Sequence, residues 1–470
     1  MMLLKIAFRN ILRNARRSLM TGSAIMVGTL GLLVFAGATG YLILSQETIS
    51  VQRLGHLTVF RDGYFLFGTG NPAAYGIDDY RSVMDLIGGD PQLRPLTKII
   101  TPTQTMFGIA GNFEADASKT FFGTGMIPSD REHMRQWDEH GVTRGVLANS
   151  SLSDEDPARG VIGLGVARLL GLCGKLKAPN CPVPPKAAPK APSGQVASAT
   201  TEDFADLLRR DIGAASDSST TRAVPRIDLL SATVGGAPNV VSMNVGGLDP
   251  QSIKELDDNY VAMHLSLAQQ LVYGRGEHKA TGIVLQLHRT EDLPIARARL
   301  VSLLKEHDLA LDVRSFAELN PFYVQLVNFF TQATMFVGLM MGIIVLFTVV
   351  NTITMSVMER TSEIGTVRAL GVRRMGIRLQ FLAEGCMLGV IGATVGVILA
   401  LGLAWLVNDA GLTWRPPSTS APVPFKLVLF QSWFLVFGTW LALVLVATVA
   451  SILPATRAAR LSVVDALRYV

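Results

Sequence analysis

The sequence predicts an α-helical membrane protein with four transmembrane helices and a large extracytoplasmic mixed α/β domain between the first and second. Three observations predict it: four long apolar runs, a positive mean hydropathy of +0.35 over 470 residues, and basic residues gathered at one side of those runs.

Crossing a hydrocarbon core of about 30 Å takes about 20 mainly apolar residues in a helix. Residues 19–44, 326–357, 379–407 and 431–453 meet that length, and the only charged side chain in any of them is Glu384. Pro454 is expected to close the fourth. The first run is longer than the about 7–15 residues of a signal-peptide core and no A-x-A-like site follows it, so it is expected to remain as a span. Lys5, Arg9, Arg13, Arg16 and Arg17 precede the first run; Arg360, Arg368, Arg373, Arg374 and Arg378 lie between the second and third; Arg457, Arg460 and Arg468 follow the fourth. Basic residues are retained on the cytoplasmic side, which places both termini and residues 358–378 inside and residues 45–325 and 408–430 outside. The outer loop 408–430 carries only Arg415 and Lys426. Topology thus explains the net charge of +5 and leaves no call for a nucleic-acid partner.

Residues 1–18 read as an amphipathic elbow helix on the inner surface, either an anchor or a grip on a partner. In residues 45–325, GHLTVF at 55–60 suits a strand, 281–288, 293–307 and 309–314 read as strand, helix, strand, and 163–172 and 257–273 as helical runs; one or two sheets flanked by helices are expected. An insert at 174–222, dense in Pro, Ala and Lys, reads as a solvated extended loop, with a short helix at 204–210. Cys173 and Cys181 flank its start, where an oxidising outer compartment favours a disulfide over two free thiols or a metal site short of ligands. Cys386, inside the third run, reads as a small packing residue.

Several chemistries lack their motifs. The sequence has no G-x-x-x-x-G-K-[ST] phosphate loop, no H-E-x-x-H and no G-x-S-x-G, and its seven His show no ligand spacing, so no catalytic residue, cofactor or metal is assigned to this chain. A membrane-anchored enzyme has no supporting motif.

The most informative stretch is MERTSEIGTVRALGVRRMGIRLQ, residues 358–380, between the second and third runs. Ile364, Val367 and Leu370 form an apolar stripe beside Glu363 and Arg368, and Gly371 supplies a stop. Such a helix is either a solvated connector or a short anchor for a groove on a soluble partner. Glu384 is costly in a span unless it faces a partner, water or the membrane edge, so it is either functional or paired with a base or with the elbow helix. Gly385, Gly389, Gly392 and Gly396 give two G-x-x-x-G steps that serve either packing within the four-helix unit or a contact between protomers.

ERTSEIGTVRALG resembles the cytoplasmic coupling segment of the FtsX-like permease family, the ABC-transporter permeases of the MacB and LolC/LolE type. The opening KIAFRNILRNARRSLMT and the ending LPATRAARLSVVDALRY resemble the family's elbow helix and C-terminal signature. RLGHLTVFRDGY, GLDPQSIKELDDNYVAMHLSLAQQLVYG and SFAELNPFYVQL resemble its lipoprotein-export-like branch, while the insert 174–222 departs from the pattern. The resemblance implies a MacB-like periplasmic core domain and a bacterial cytoplasmic (inner) membrane location. It implies two permease protomers, identical or related, and two copies of a separate ATPase that holds ATP and Mg and clasps the coupling helices. Glu359, Arg360, Glu363, Gly365, Arg368, Ala369 and Gly371 are the residues it assigns to that contact, and Ile364 and Val367 of the apolar stripe are expected to enter the ATPase groove. The motion would be mechanotransmission, extracting a lipoprotein or another amphipathic substrate outside the bilayer, with membrane lipids and a periplasmic adaptor or carrier as further partners. With 18 residues before the first run, the chain resembles the split arrangement rather than one fused to its ATPase. The alternative within the family is a signalling subunit that controls an extracytoplasmic partner such as a cell-wall hydrolase.

Overall fold

A computed structural model describes residues 9, 10, 13, 15–142, 152–177, 181, 224–251, 254–414, 423–430 and 433–460. Most of the expected elbow helix, nearly all of the Pro-rich insert with its 204–210 helix, and the tail 461–470 lie outside the described residues.

The chain begins with α1 (Ala15–Leu54) and enters the α/β region through β1 (Leu57–Arg61), α2 (Tyr80–Gly89), β2 (Thr97–Asn112), β3 (Ala117–Met126) and α3 (Pro128–Arg135). There follow β4 (Arg159–Ile162), α4 (Leu164–Leu169), β5 (Arg226–Ala232), β6 (Pro238–Leu248), α5 (Lys254–Asp257), β7 (Tyr260–His264) and α6 (Leu265–Tyr273). The region closes with β8 (Gly282–Leu287), α7 (Leu293–Glu306), β9 (Leu311–Ser315) and α8 (Phe316–Leu319). Then come α9 (Pro321–Glu359), α10 (Thr361–Ala369), α11 (Arg374–Asp409) and α12 (Trp433–Arg460).

Four described helices, α1, α9, α11 and α12, are long and apolar enough to cross a membrane. Local chemistry sets where the second begins. The Ser315 hydroxyl and Glu318 form a capping box on α8, and Asn320 then caps α9, with Pro321 in its first turn. Pro454 does not close α12; it is buried inside the helix, which continues to Arg460. A membrane helix tolerates such a proline because neighbouring helices compensate the freed backbone group.

Small and hydroxylated residues join the four helices. Thr21 and Thr352 share a hydrogen bond of 2.6 Å between α1 and α9, and Thr39 and Thr334 share a second of 3.4 Å. The α11 glycines bring backbones close. A Cβ on Gly385 would lie 2.6 Å from that of Ser451, and one on Gly389 3.0 Å from that of Ala447, both on α12. A Cβ on Gly392 would meet Ile25, and one on Gly396 Thr29, both on α1. These glycines therefore pack within the four-helix unit.

The α/β region holds one nine-stranded sheet of order β3-β7-β4-β6-β5-β2-β8-β1-β9, and a further β3–β2 pairing closes six of the strands on themselves. β2 belongs to both parts. Residues Thr97–Thr103 pair with β8 in an open sheet with β1 and β9, while Gln104–Asn112 pair with β3, and Ile109–Gly111 also with β5, in the closed ring. The open sheet packs against α2 and α7 around Leu57, Ile87, Leu285 and Leu300. The ring encloses a second core that includes Met106, Ile162, Ile227, Met243 and Val261.

The helical reading of 257–273 needs correction, since β7 occupies its first half. Tyr260, Val261, Ala262 and Met263 are all buried between β3 and β4, and a strand buried on both faces gives a continuous apolar run that periodicity cannot tell from a helix. His264 then caps α6 by accepting from the Ser266 amide.

At the base of the open sheet, hydrogen bonds hold α1 and α9 to the α/β region. Gln52 Nε2 donates to the Trp137 carbonyl at 2.7 Å, and Arg131 donates to the Gln52 carbonyl at 2.7 Å. Asn320 Nδ2 donates to Ser50 Oγ at 3.0 Å, and the Tyr323 hydroxyl to Glu47. His140 completes the cluster 3.8 Å from the other Glu47 oxygen.

Candidate coupling site

Helix α10 connects two spans, and its ends follow from its residues. Arg360 breaks the helical path at φ −109°, ψ 18°, and its carbonyl accepts from the Ile364 amide, opening the new helix. Glu363 in the first turn and Arg368 in the last complement the helix dipole. Gly371 ends it at φ +93°, a left-handed conformation in which any other residue type is strained.

The two faces of this short helix differ. Ile364, 6% exposed, and Gly365 point into the bundle core, which also contains Ile377, Ala455 and Ala458. The expectation that Ile364 enters a partner's groove is therefore corrected. Residues three apart step by about 60° around a helix, so Ile364, Val367 and Leu370 are a slanting row rather than one face. Val367 and, at 81%, Leu370 are exposed. Met358, Val372 and Met375 add exposed apolar surface nearby, and Glu359, Ala369 and Gly371 are exposed as well.

Behind α10 lies a chain of charges. Arg17 pairs with Glu359 at 2.5 Å and Arg13 with Glu363 at 2.5 Å, joining the start of α1 and the residues before it to both sides of the break. Arg360 reaches Glu363 at 3.2 Å and Glu384 of α11 at 3.1 Å. Glu384 also accepts from Asn10 Nδ2 at 2.7 Å. Burial acts upward on the Glu363 carboxyl, but the guanidinium groups of Arg13 and Arg360 outweigh it and hold it below its ordinary value. Arg360 and Glu384 are both buried, and Glu384 lines a small cavity of about 30 Å³ with Asn10, Arg17, Thr352 and Ser356 among its other walls.

The structure thus joins Glu363 through Arg360 to Glu384, and Glu384 to Asn10. It adds Asn10, Arg13 and Arg17, whose only signal in the sequence is a basic, amphipathic run before the first span. Far from this site, Cys173 and Cys181 form a disulfide with their Cα atoms 5.8 Å apart.

The geometry defines a four-span membrane protein with a large α/β region after the first span and a short helix between the second and third. Residues 335–463 match the family model described as FtsX-like permease C-terminal. It is 41% identical over 81 residues to the ABC transporter permease YtrF of Bacillus subtilis, covering 17% of this chain and 19% of that protein. Identity is 33% over 121 residues to the macrolide export ATP-binding/permease protein MacB of Bdellovibrio bacteriovorus, covering 26% and 16%. It is 30% over 197 residues to the uncharacterized ABC transporter permease YknZ of Bacillus subtilis, covering 41% and 46%. The chain spans less than half the length of each of these relatives.

Proposed function

We propose that this chain is the membrane subunit through which a separate ATPase, carrying ATP and Mg, drives movement of an extracytoplasmic domain. In this reading it resides in a bacterial cytoplasmic membrane with both termini inside. Two ATPase copies and a second permease protomer complete the assembly, and the substrate is a lipoprotein or another amphipathic molecule withdrawn at the outer face.

One observation carries the reading. Helix α10 exposes Val367 and Leu370 between two spans while its opposite side is locked into the bundle, the arrangement a short apolar anchor needs to enter a groove and pass on its movement. The MacB relative is named as an ATP-binding and permease protein in one, which supports an ATPase as the partner.

The test is reconstitution. The purified chain in lipid nanodiscs is expected to hydrolyse no ATP alone, to bind its ATPase, and to release a lipid-anchored protein only when ATP is supplied. Hydrolysis by the chain alone, or release without the ATPase, overturns the proposal.

A further inference from the structure

The Arg360–Glu384 pair has features that packing alone does not call for. Its charges are buried at the end of a bundle whose surrounding core is apolar, and a buried ion pair contributes little or no stability over well-packed apolar residues of the same volume. Its position is also specific. Arg360 is the residue at which α9 gives way to α10, so the direction of α10 depends on where its backbone is held. Its guanidinium spans from Glu363 on α10 to Glu384 on α11 and lies 6.0 Å from the centre of the Phe381 ring. Glu384 in turn takes the Asn10 amide from the segment ahead of α1. One buried pair therefore fixes three elements relative to one another.

We infer that Arg360 and Glu384 are a positioning pair that sets the direction of α10 and ties it to the segment before α1, so that force on α10 moves both together. This rests on the reading of α10 as the ATPase-coupling helix. The pair acts by holding α10 and the segment before α1.

The decisive variant is the apolar double replacement Arg360→Met/Glu384→Leu in the full chain, reconstituted in nanodiscs. A purely structural role predicts that it restores everything, because the bundle stays packed. The inference predicts an unchanged or higher melting temperature with α10 no longer held. Spin labels at Leu370→Cys and Arg457→Cys, in a Cys386→Ala background, are expected to give a narrow distance distribution with the native pair and a broad one with the double replacement. The ATPase concentration for half-maximal hydrolysis should rise on the order of tenfold. A narrow distribution and an unchanged half-saturation in the double variant overturn the inference. If that variant does not insert, Glu384→Gln, which keeps the volume and the Asn10 bond, is read by the same two measurements. If the native chain neither binds nor activates the ATPase, the functional reading fails, and the distance measurement still decides whether the pair holds α10.

Discussion

Ile364 and Leu370, the residue that caps the end of α10, lie six positions and about 120° apart around the helical path, the first 6% and the second 81% exposed. Their replacements should fail in different ways. Ile364→Ala should cost about 2–5 kcal/mol of stability by leaving a cavity in the bundle core. Leu370→Asp should leave stability within about 0.5 kcal/mol of the native chain, yet reduce co-purification with the ATPase. A Leu370→Asp protein that binds the ATPase normally removes the docking role of this surface.

The α11 glycines give a prediction that needs no partner. Gly392→Val would place its Cβ 2.8 Å from the Cβ of Ile25 and 2.9 Å from the Gly22 carbonyl oxygen, and should destabilise the bundle by about 1–3 kcal/mol. Gly402→Ala, on the same helix with nothing within 4 Å of the new atom, should be neutral. Melting in nanodiscs compares the two directly.

Two histidines at the base of the α/β region respond to pH in opposite senses. Glu47 beside His140 outweighs its burial and raises its pKa above 6.5, so its contribution to stability is fully present below about 6.5 and is lost as pH rises through the folded value. His56 packs edge-on against Trp137 at 5.0 Å; burial lowers its pKa to about 4, despite an upward pull from Glu47. Its contribution is present above about 6.5 and is lost as pH falls toward about 4. Between pH 6.5 and 8.5 only the His140 contribution should change. The native melting temperature should fall across that window, and that of His140→Gln should stay flatter; parallel curves would contradict the pairing.

The arrangement across the membrane is open to a labelling test. A reporter inserted after Arg222 should be accessible from outside, and one inserted after Arg373 only from the cytoplasm. Opposite labelling would reverse the orientation derived from the basic residues.

Much of this fold was legible because its signals are local. Uninterrupted apolar runs mark the four long helices, and the stretch 281–314 declares its strand, helix and strand through alternation and helical spacing. The closed ring was not legible, because it depends on β3 meeting both β2 and β7, pairings between residues as far apart as Phe122 and Tyr260. The same limit applied at the coupling site. Composition and spacing pointed to residues 359–371, but Glu384 finds Arg360 24 positions away and Asn10 374 positions away, and only folding brings them together. Ile364 was misassigned for a different reason: a stripe at intervals of three drifts around a helix, and six residues suffice to turn it from outside to inside.

Strand β2 carries a mechanical consequence. Its 16 residues, at about 3.3 Å each, span up to about 50 Å in one unbroken length of backbone, with one half in the open sheet and the other in the wall of the ring. Moved as one rod, it would turn a tilt of about 5° at the foot into a sweep of about 4 Å at the far end. A small displacement where α1 and α9 meet the sheet thus arrives at the ring magnified, as the swing of a lever.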